Sequence, residues 1–495
     1  MPDINPSNHR HILRLSDEVS RRAIWSAKRG ARFTKLRDLA AALDLPKLAQ
    51  VLADHPDVTT RPLVTSVPFP RLLELEESAA RSGYPLERSL SSYWVIESRG
   101  YRRARSLVAD MGRKGLFSVA ALGKRGGGRV YEEPELTEAG APTQPWHFLP
   151  GGRGYWSAAP DGIDARYAWR KGFGGEGVRF VDVERSWNFE HRGLQRVRFK
   201  FGENGARTPF YNESLPVAGE GNCPEHGTNV LGVVAGWDSR EGHRGIAPNC
   251  SSVATVSQRR KKLHGLDDWD LVGAILYAVS GADELLGFGD VLLIEVQTLD
   301  NLPVEVVEHY YLATKLAVGN GIIVVECGGN AGCDLDRHWE ITGDWSPTIS
   351  MCRDDERFRD SGAIVVAAGQ QRPVKNRKGR WCHAPWHSTN YGTRIDCYAW
   401  GESIRTAGGG DGGMPCNERY TSRFGGTSGA GAIIAGAAIL VQQMFMSRAR
   451  GRHLPPDEMR QILSHPKHGT PGCGHEIGIM PNLRKIYERM QAGKV

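Results

Sequence analysis

Four polar residues stand where apolar runs begin or end. Asp182 closes the run VRFVD, His226 opens HGTNVLGVVAG, Asn330 follows IIVVECGG, and Ser428 lies in FGGTSGAGAIIAGAAIL. They are an acid, an imidazole, an amide and a hydroxyl. Together they form the set that acyl transfer needs: a nucleophile, its base, a group that orients the base, and a donor for the developing oxyanion. Each also has a plainer reading. Thr427 and Ser428 are good helix caps, Asn330 after two glycines suits a turn, and a single Asp or His more often serves structure. The alternative for Ser428 is that a helix N-terminus, with its free N–H groups and dipole, favours negative charge there.

The elements that must hold these residues can be read from periodicity. VRFVDVE, SSVATVS, VLLIEVQ, IIVVECG and AIVVAAG are short apolar runs typical of strands. TNVLGVVAGW, LVGAILYAVSGADELL and EVVEHYYLATKLAVGNG between them read as helices. Short apolar strands alternating with helices predict a mainly parallel sheet covered on both faces, with the working residues at strand carboxyl ends. There is no internal repeat and no low-complexity tract.

The order Asp, His, Asn, Ser with these flanks resembles the subtilisin-like serine peptidases, the subtilases. The matching segments are VDVE around Asp182, HGTNVLGVVAG from His226, ECGGNAG around Asn330 and GGTSGAGAIIAGAAIL around Ser428. GIAPN at 245–249 and STNYGTRIDCYAWGE at 388–402 also fall where the family has such segments. The Asp, His, Ser order is that of subtilisin. The resemblance spans about residues 155–485 and implies an α/β, three-layer αβα catalytic domain at 154–487. It implies a serine endopeptidase that forms an acyl-enzyme on Ser428, with His226 as base and Asp182 orienting it. Asn330 and the Ser428 backbone N–H would hold the oxyanion. The residues after the serine depart from the family pattern, since Gly429-Ala430-Gly431-Ala432 carries no early proline.

The same resemblance puts Glu295, Val296 and Gln297 beside the primary specificity pocket, with Gly328 and Gly329 as further substrate-binding positions. If Glu295 faces that pocket, basic substrate side chains are favoured. The alternative is a structural carboxylate inside the sheet. No cofactor is needed for the chemistry. Asp334 and Asp336 are weak candidates for a structural calcium, because a lone D-x-D is more often a solvated loop. Two other motifs fail on context. Gly172 to Gly177 matches G-x-G-x-x-G but precedes a strand, which argues against a dinucleotide site. Ser428 lacks the G-x-S-x-G frame of α/β-hydrolase esterases, because Ala430 replaces the second glycine.

Upstream, residues 1–58 are expected to be a helical region. Residues 60–137 alternate strand and helix, with PLVTSV, SYWVIES and FSVAAL as strands. They loosely resemble a subtilase propeptide, a small α/β domain that would serve as folding aid and inhibitor, with VYEEPEL leading into the groove. Residues 138–153 are rich in Pro and Gly and read as a linker.

Composition bounds the partners. The 495 residues are 40% hydrophobic and 24% charged, as in globular proteins. Residues 1–130 hold 23 Lys and Arg against 13 Asp and Glu, about +10, which leaves about −3 of the chain's +7 for the rest. A basic segment without a nucleic-acid motif is a solvated surface, so nucleic acid and membrane are not expected partners. A protein or peptide substrate is, together with an inhibitory partner or the chain's own N-terminal domain. The rival reading is a catalytically silent binding or scaffold protein on the same fold. The start shows no signal peptide, which points to the cytoplasm or a leaderless route. Nine cysteines without a C-x-x-C pair argue against zinc and against a fully paired disulfide framework. Cys327 and Cys333 are expected to be buried thiols rather than a bridge.

Overall fold

The computed structural model describes residues 9–98 apart from 29–31, part of 106–118, 130–131, and 154–494 apart from 201–225, 264–265, 281–284, 299, 338–348 and 410–414. The linker at 138–153 lies outside the described residues, as does most of VYEEPEL.

An eight-stranded sheet organises the C-terminal two thirds. Its order is Gly469–Pro471, Ile479–Pro481, Cys397–Trp400, Ile364–Gly369, Ile323–Cys327, Val291–Ile294, Arg179–Glu184 and Ser252–Ser257. Every pairing is parallel except the first, where Gly469–Pro471 meets Ile479–Pro481 antiparallel. The strands are buried along almost their whole length, as the unbroken apolar runs require. All five expected strands are present, and STNYGTRIDCYAWGE supplies a sixth at Cys397–Trp400.

The helix Gly426–Arg448 crosses this sheet and also packs on the helix His226–Ala235. It is long and apolar enough to cross a membrane, but it lies in the core, with Gly426 through Gln442 all buried. A helix that is apolar all round belongs inside. Ile433, Ile434, Ile439 and Leu440 are inaccessible, each stabilising the fold by about 1.5–3 kcal/mol. Between them, small residues bring the helix close to the strands. A Cβ at Gly431 would stand 3.0 Å from the Cys327 sulfur. The missing proline therefore leaves a continuous helix whose first turns approach the sheet tightly. The helices Leu271–Ser280 and Glu308–Gly319 pack on each other and on the sheet, which completes three layers.

The N-terminal residues form a second sheet, antiparallel, in the order Thr59–Pro62, Tyr93–Ser98, His9–Leu15 and Phe117–Ser118. Residues 1–58 do contain three helices, at Asp17–Ala27, Leu36–Ala42 and Pro46–Asp54. They also contain the inner strand His9–Leu15, which pairs with Tyr93–Ser98 and Phe117–Ser118. The alternation that marks it is short, with Leu13 and Leu15 buried, and its partners are remote in sequence. PLVTSV contributes only Pro62 to a strand. Its Leu63, Val64 and Val67 join the core shared with the catalytic unit.

The helix Phe69–Arg81 docks the N-terminal unit on the helix Glu308–Gly319. Polar contacts fix the seam. Arg88 and the Tyr93 hydroxyl both donate to Glu308, at 2.5 and 2.7 Å. Lys315 and the Tyr311 hydroxyl both donate to Glu87, at 2.6 and 3.0 Å.

Cys327 and Cys333 are free thiols. A bridge forms elsewhere. Cys382 and Cys473 are bridged with 5.6 Å between their Cα atoms, and Cys416 is also disulfide-bonded. A pairing across 91 residues leaves no trace in local spacing.

Candidate active site

The strand Arg179–Glu184 turns its alternate residues to one face, so Asp182 and Glu184 point the same way. The helix His226–Ala235 begins opposite the strand's exit. It is fixed there by the Thr228 hydroxyl, which accepts from the Asn188 backbone N–H at 2.8 Å. His226 therefore enters the space in front of both carboxyls. Its Nδ1 lies 2.6 Å from Oε2 of Glu184. The expected partner, Asp182, accepts instead from the Trp187 indole N–H at 2.8 Å. Asp182 is one same-face step deeper along the strand and has the shorter side chain.

Ser428 is the third residue of the Gly426–Arg448 helix. A Cβ at Gly425 would fall 2.3 Å from the Gly401 carbonyl, so only glycine allows the chain to enter the helix there. Four residues before the serine, Phe424 meets the His226 ring edge-on at 5.6 Å. Serine and histidine converge on a third carboxyl, that of Glu295. Burial pushes it well above the usual carboxylate range, while the His226 charge and a hydrogen bond from Ser428 pull the other way. The Cys327 thiol also donates to Glu295, at 3.3 Å. Asp182 is likewise pushed up strongly, by burial first and then by the charge of Glu184.

Asn330 reaches the same place from the strand Ile323–Cys327. Its side-chain oxygen accepts from the Thr427 N–H at 3.0 Å, beside the serine, and its amide nitrogen donates to Gln297 at 3.1 Å. The loop that carries it is held by Asn390, a buried residue that sequence reading did not single out. Asn390 Oδ1 accepts from the N–H groups of Ala331 and Cys333, and its amide donates to the carbonyls of Gly328 and Asn301. The signal was present in STNYG, a polar pair before glycine, but that segment was read only as a family landmark. Gly329 has φ +85°, and a Cβ there would meet the Asn301 carbonyl at 2.2 Å.

The substrate-side positions separate. Gln297 and Thr298 form a short strand whose backbone pairs antiparallel with Val130 and Tyr131. Val296 is buried. Glu295 is only 1% exposed and lies close to the serine. Asp334 accepts from the Asp336 N–H, and Asp336 from the Thr393 hydroxyl and N–H. Both carboxylates thus accept from neighbouring protein groups. Among the described residues, no three or more His, Cys, Asp or Glu side chains gather to hold a metal. Gly172, Gly175 and Gly177 take positive φ in a loop leading into the Arg179–Glu184 strand, the context that argued against a dinucleotide site.

The subtilase family model matches residues 161–479. The chain belongs to the subtilase family. Its sequence is 25% identical over 240 residues to mycosin-3 of Mycobacterium tuberculosis, covering 45% of this chain and 52% of that one. It is 24% identical over 286 residues to the major intracellular serine protease of Bacillus subtilis, covering 57% and 75%. The chain thus spans about half the length of the mycosin. Among solved structures, a protease from Pseudoalteromonas arctica PAMC 21717 matches with a TM-score of 0.44 at 18% identity, over 69% of this subtilase and 96% of that chain. The self-cleaved protease domain of PatA gives 0.43 at 19%, over 65% and 99%.

Proposed function

We propose that this subtilase is a serine endopeptidase that cleaves peptide bonds through an acyl-enzyme on Ser428. The convergence of Ser428 and His226 on one buried cluster of carboxyls carries this reading. Ser428 Oγ attacks the substrate carbonyl, His226 takes the hydroxyl proton, and the same proton passes to the leaving amine. A carboxylate beside Nδ1 keeps the imidazole in the productive tautomer and stabilises the imidazolium. The amide of Asn330, aligned by Thr427 and Gln297, has a second N–H to offer the oxyanion together with the Ser428 backbone N–H. A donor of this kind contributes about 2.7–4 kcal/mol to transition-state stabilisation, a magnitude taken from subtilisin, a relative in the same family.

The test is a fluorophosphonate probe. Wild-type protein with an open groove is labelled on one serine, and Ser428→Ala is not. Ser428→Ala also lowers kcat by about a million-fold, the loss found for the nucleophile of subtilisin. Absence of labelling in the wild type favours the scaffold reading.

The N-terminal unit is proposed to cover the groove. Two observations support this: Val130 and Tyr131 pair with the edge at Gln297 and Thr298, and Ser428 and His226 are only 2% and 3% exposed. A substrate strand would need that same edge. Trimming residues 1–137 from the folded protein by limited proteolysis should therefore raise peptidase activity, and adding the segment back should lower it. Equal activity before and after trimming would remove this role.

A further inference from the structure

Two carboxyls on one strand face are candidates to orient His226, and the family resemblance selects Asp182. The geometry points to the other: we propose that Glu184 is the positioning residue that holds the His226 imidazole, while Asp182 supports the strand exit through Trp187. This rests on the peptidase reading above and adds which residue sets its base.

Same-face residues on a strand are about 6.6 Å apart, so one imidazole nitrogen can meet only one of the two. Glu184 stands at the strand's last position, nearest the start of the His226 helix, and its extra methylene extends the reach. The result is the 2.6 Å contact between Glu184 Oε2 and His226 Nδ1, at the short end for a charge-assisted hydrogen bond. Asp182 is engaged elsewhere. Its Oδ2 takes the Trp187 N–H, and its Oδ1 has no hydrogen-bond partner among the described residues. An oxygen buried without a donor disfavours the charged form.

Charge balance gives the same assignment. Asp182, Glu184, Glu295 and His226 face one another, each no more than 3% exposed. A single imidazolium can offset one carboxylate, and it lies against Glu184. Asp182 and Glu295 are both pushed toward their neutral forms, first by burial; the Glu184 charge adds to this for Asp182, and the Asp182 and Glu184 charges for Glu295. In the reaction the Ser428 proton moves to His226 and on to the leaving group. Glu184 takes no proton at any step.

Three variants test this: Glu184→Gln, Glu184→Asp and Asp182→Asn, each checked for fold by circular dichroism. Glu184→Gln should lower kcat by about 10³–10⁴-fold, the scale of a wrong imidazole tautomer, with KM changed less than about threefold. Glu184→Asp should recover part of that loss. Asp182→Asn should stay within about tenfold of wild type and keep the acid limb of its pH–rate profile. The proposal is overturned if Asp182→Asn carries the larger kcat loss, or if Glu184→Gln stays within about tenfold of wild type. Should Glu184→Gln fail to fold, Asp182→Asn against Glu184→Asp makes the same decision. If the wild type resists the fluorophosphonate, the peptidase reading falls, but the titration of the His226 ring followed by NMR still decides. Loss of the Glu184 carboxylate should move it down by about a unit or more, and Asp182→Asn should not.

Discussion

The catalytic unit holds two clusters of buried charge, and they are balanced in opposite ways. In the first, where buried Glu326 is also pushed well above the usual carboxylate range by burial and then by Glu305, the carboxylates of Glu305, Asp396 and the more exposed Asp360 are each met by a guanidinium, with Arg394 at the centre. Its Nε donates to Glu305 at 2.5 Å, one terminal nitrogen to Asp396 at 2.8 Å and the other to the Ala363 carbonyl at 3.0 Å. Arg460 adds bonds to Asp396 at 2.8 Å and to Asp360 at 2.7 Å. Burial works to raise Asp360, yet Arg394 and Arg460 hold it down at about 2. Around His226 the carboxyls outnumber the cation. Asp182 accepts from Trp187, Glu184 from His226 and the Arg185 N–H, and Glu295 from Cys327 and Ser428. The first cluster ties loops to the sheet. The second holds Asp182 and Glu295 well above the usual carboxylate range, mainly by burial, the kind of perturbation that gathers at functional sites.

The contrast can be broken at its balanced end. Arg394→Met leaves the Glu305 carboxylate buried without its guanidinium, while Asp396 keeps its bond from Arg460. Losing one partner of such a group costs about 3–5 kcal/mol. The urea midpoint of the catalytic unit should fall accordingly, while peptidase activity per folded molecule, counted by fluorophosphonate labelling, should stay unchanged. A midpoint equal to wild type would mean that the Arg394 cluster does not support the fold.

The same contrast shows what could be read in advance. Parallel strands announce themselves as unbroken apolar runs, so the sheet was legible from Phe180 to Val366. Ser428, His226 and Asn330 were legible because each interrupts such a run where a strand ends or a helix starts. The choice between Asp182 and Glu184 was not legible. Both lie on one face of one strand, and only the position of the His226 helix decides which is reached. The role of Asn390 was hidden for a related reason, since four of its side-chain hydrogen bonds go to backbone groups far from it in sequence and a fifth comes from the Cys333 thiol. The inner strand His9–Leu15 was missed because its apolar alternation covers too few residues, and the bridge between Cys382 and Cys473 because distant pairing leaves no local pattern. What escapes is what depends on elements meeting in space.

A smaller and slower-acting difference separates the catalytic unit from the N-terminal one, and pH should expose it. Glu76 lies in the docking helix Phe69–Arg81 and accepts from the Ser89 hydroxyl at 3.0 Å and the Leu90 N–H at 2.9 Å. Burial raises it from 4.5 to about 7, with those two bonds pulling the other way. Its folded value lies above its unfolded one. Its contribution to stability is therefore complete below about 4.5 and is lost as pH rises through about 7, to a limit of about 3 kcal/mol. Asp360 behaves in the opposite sense. Its folded value is depressed, so its contribution is present above the unfolded value of 3.8 and is lost only as pH falls toward 2. Raising the pH from 5 to 8 should thus loosen the N-terminal unit and leave the Arg394 cluster intact. Pulse proteolysis in urea, with fragments assigned to residues 69–98 or to the catalytic unit, measures the two separately. Glu76→Gln keeps an acceptor for Ser89 and Leu90 but cannot ionise, so it should flatten the pH dependence of the N-terminal fragment alone. If wild type and Glu76→Gln lose that fragment identically at pH 5 and pH 8, the half-buried Glu76 carboxyl is not what makes the N-terminal unit sensitive to pH.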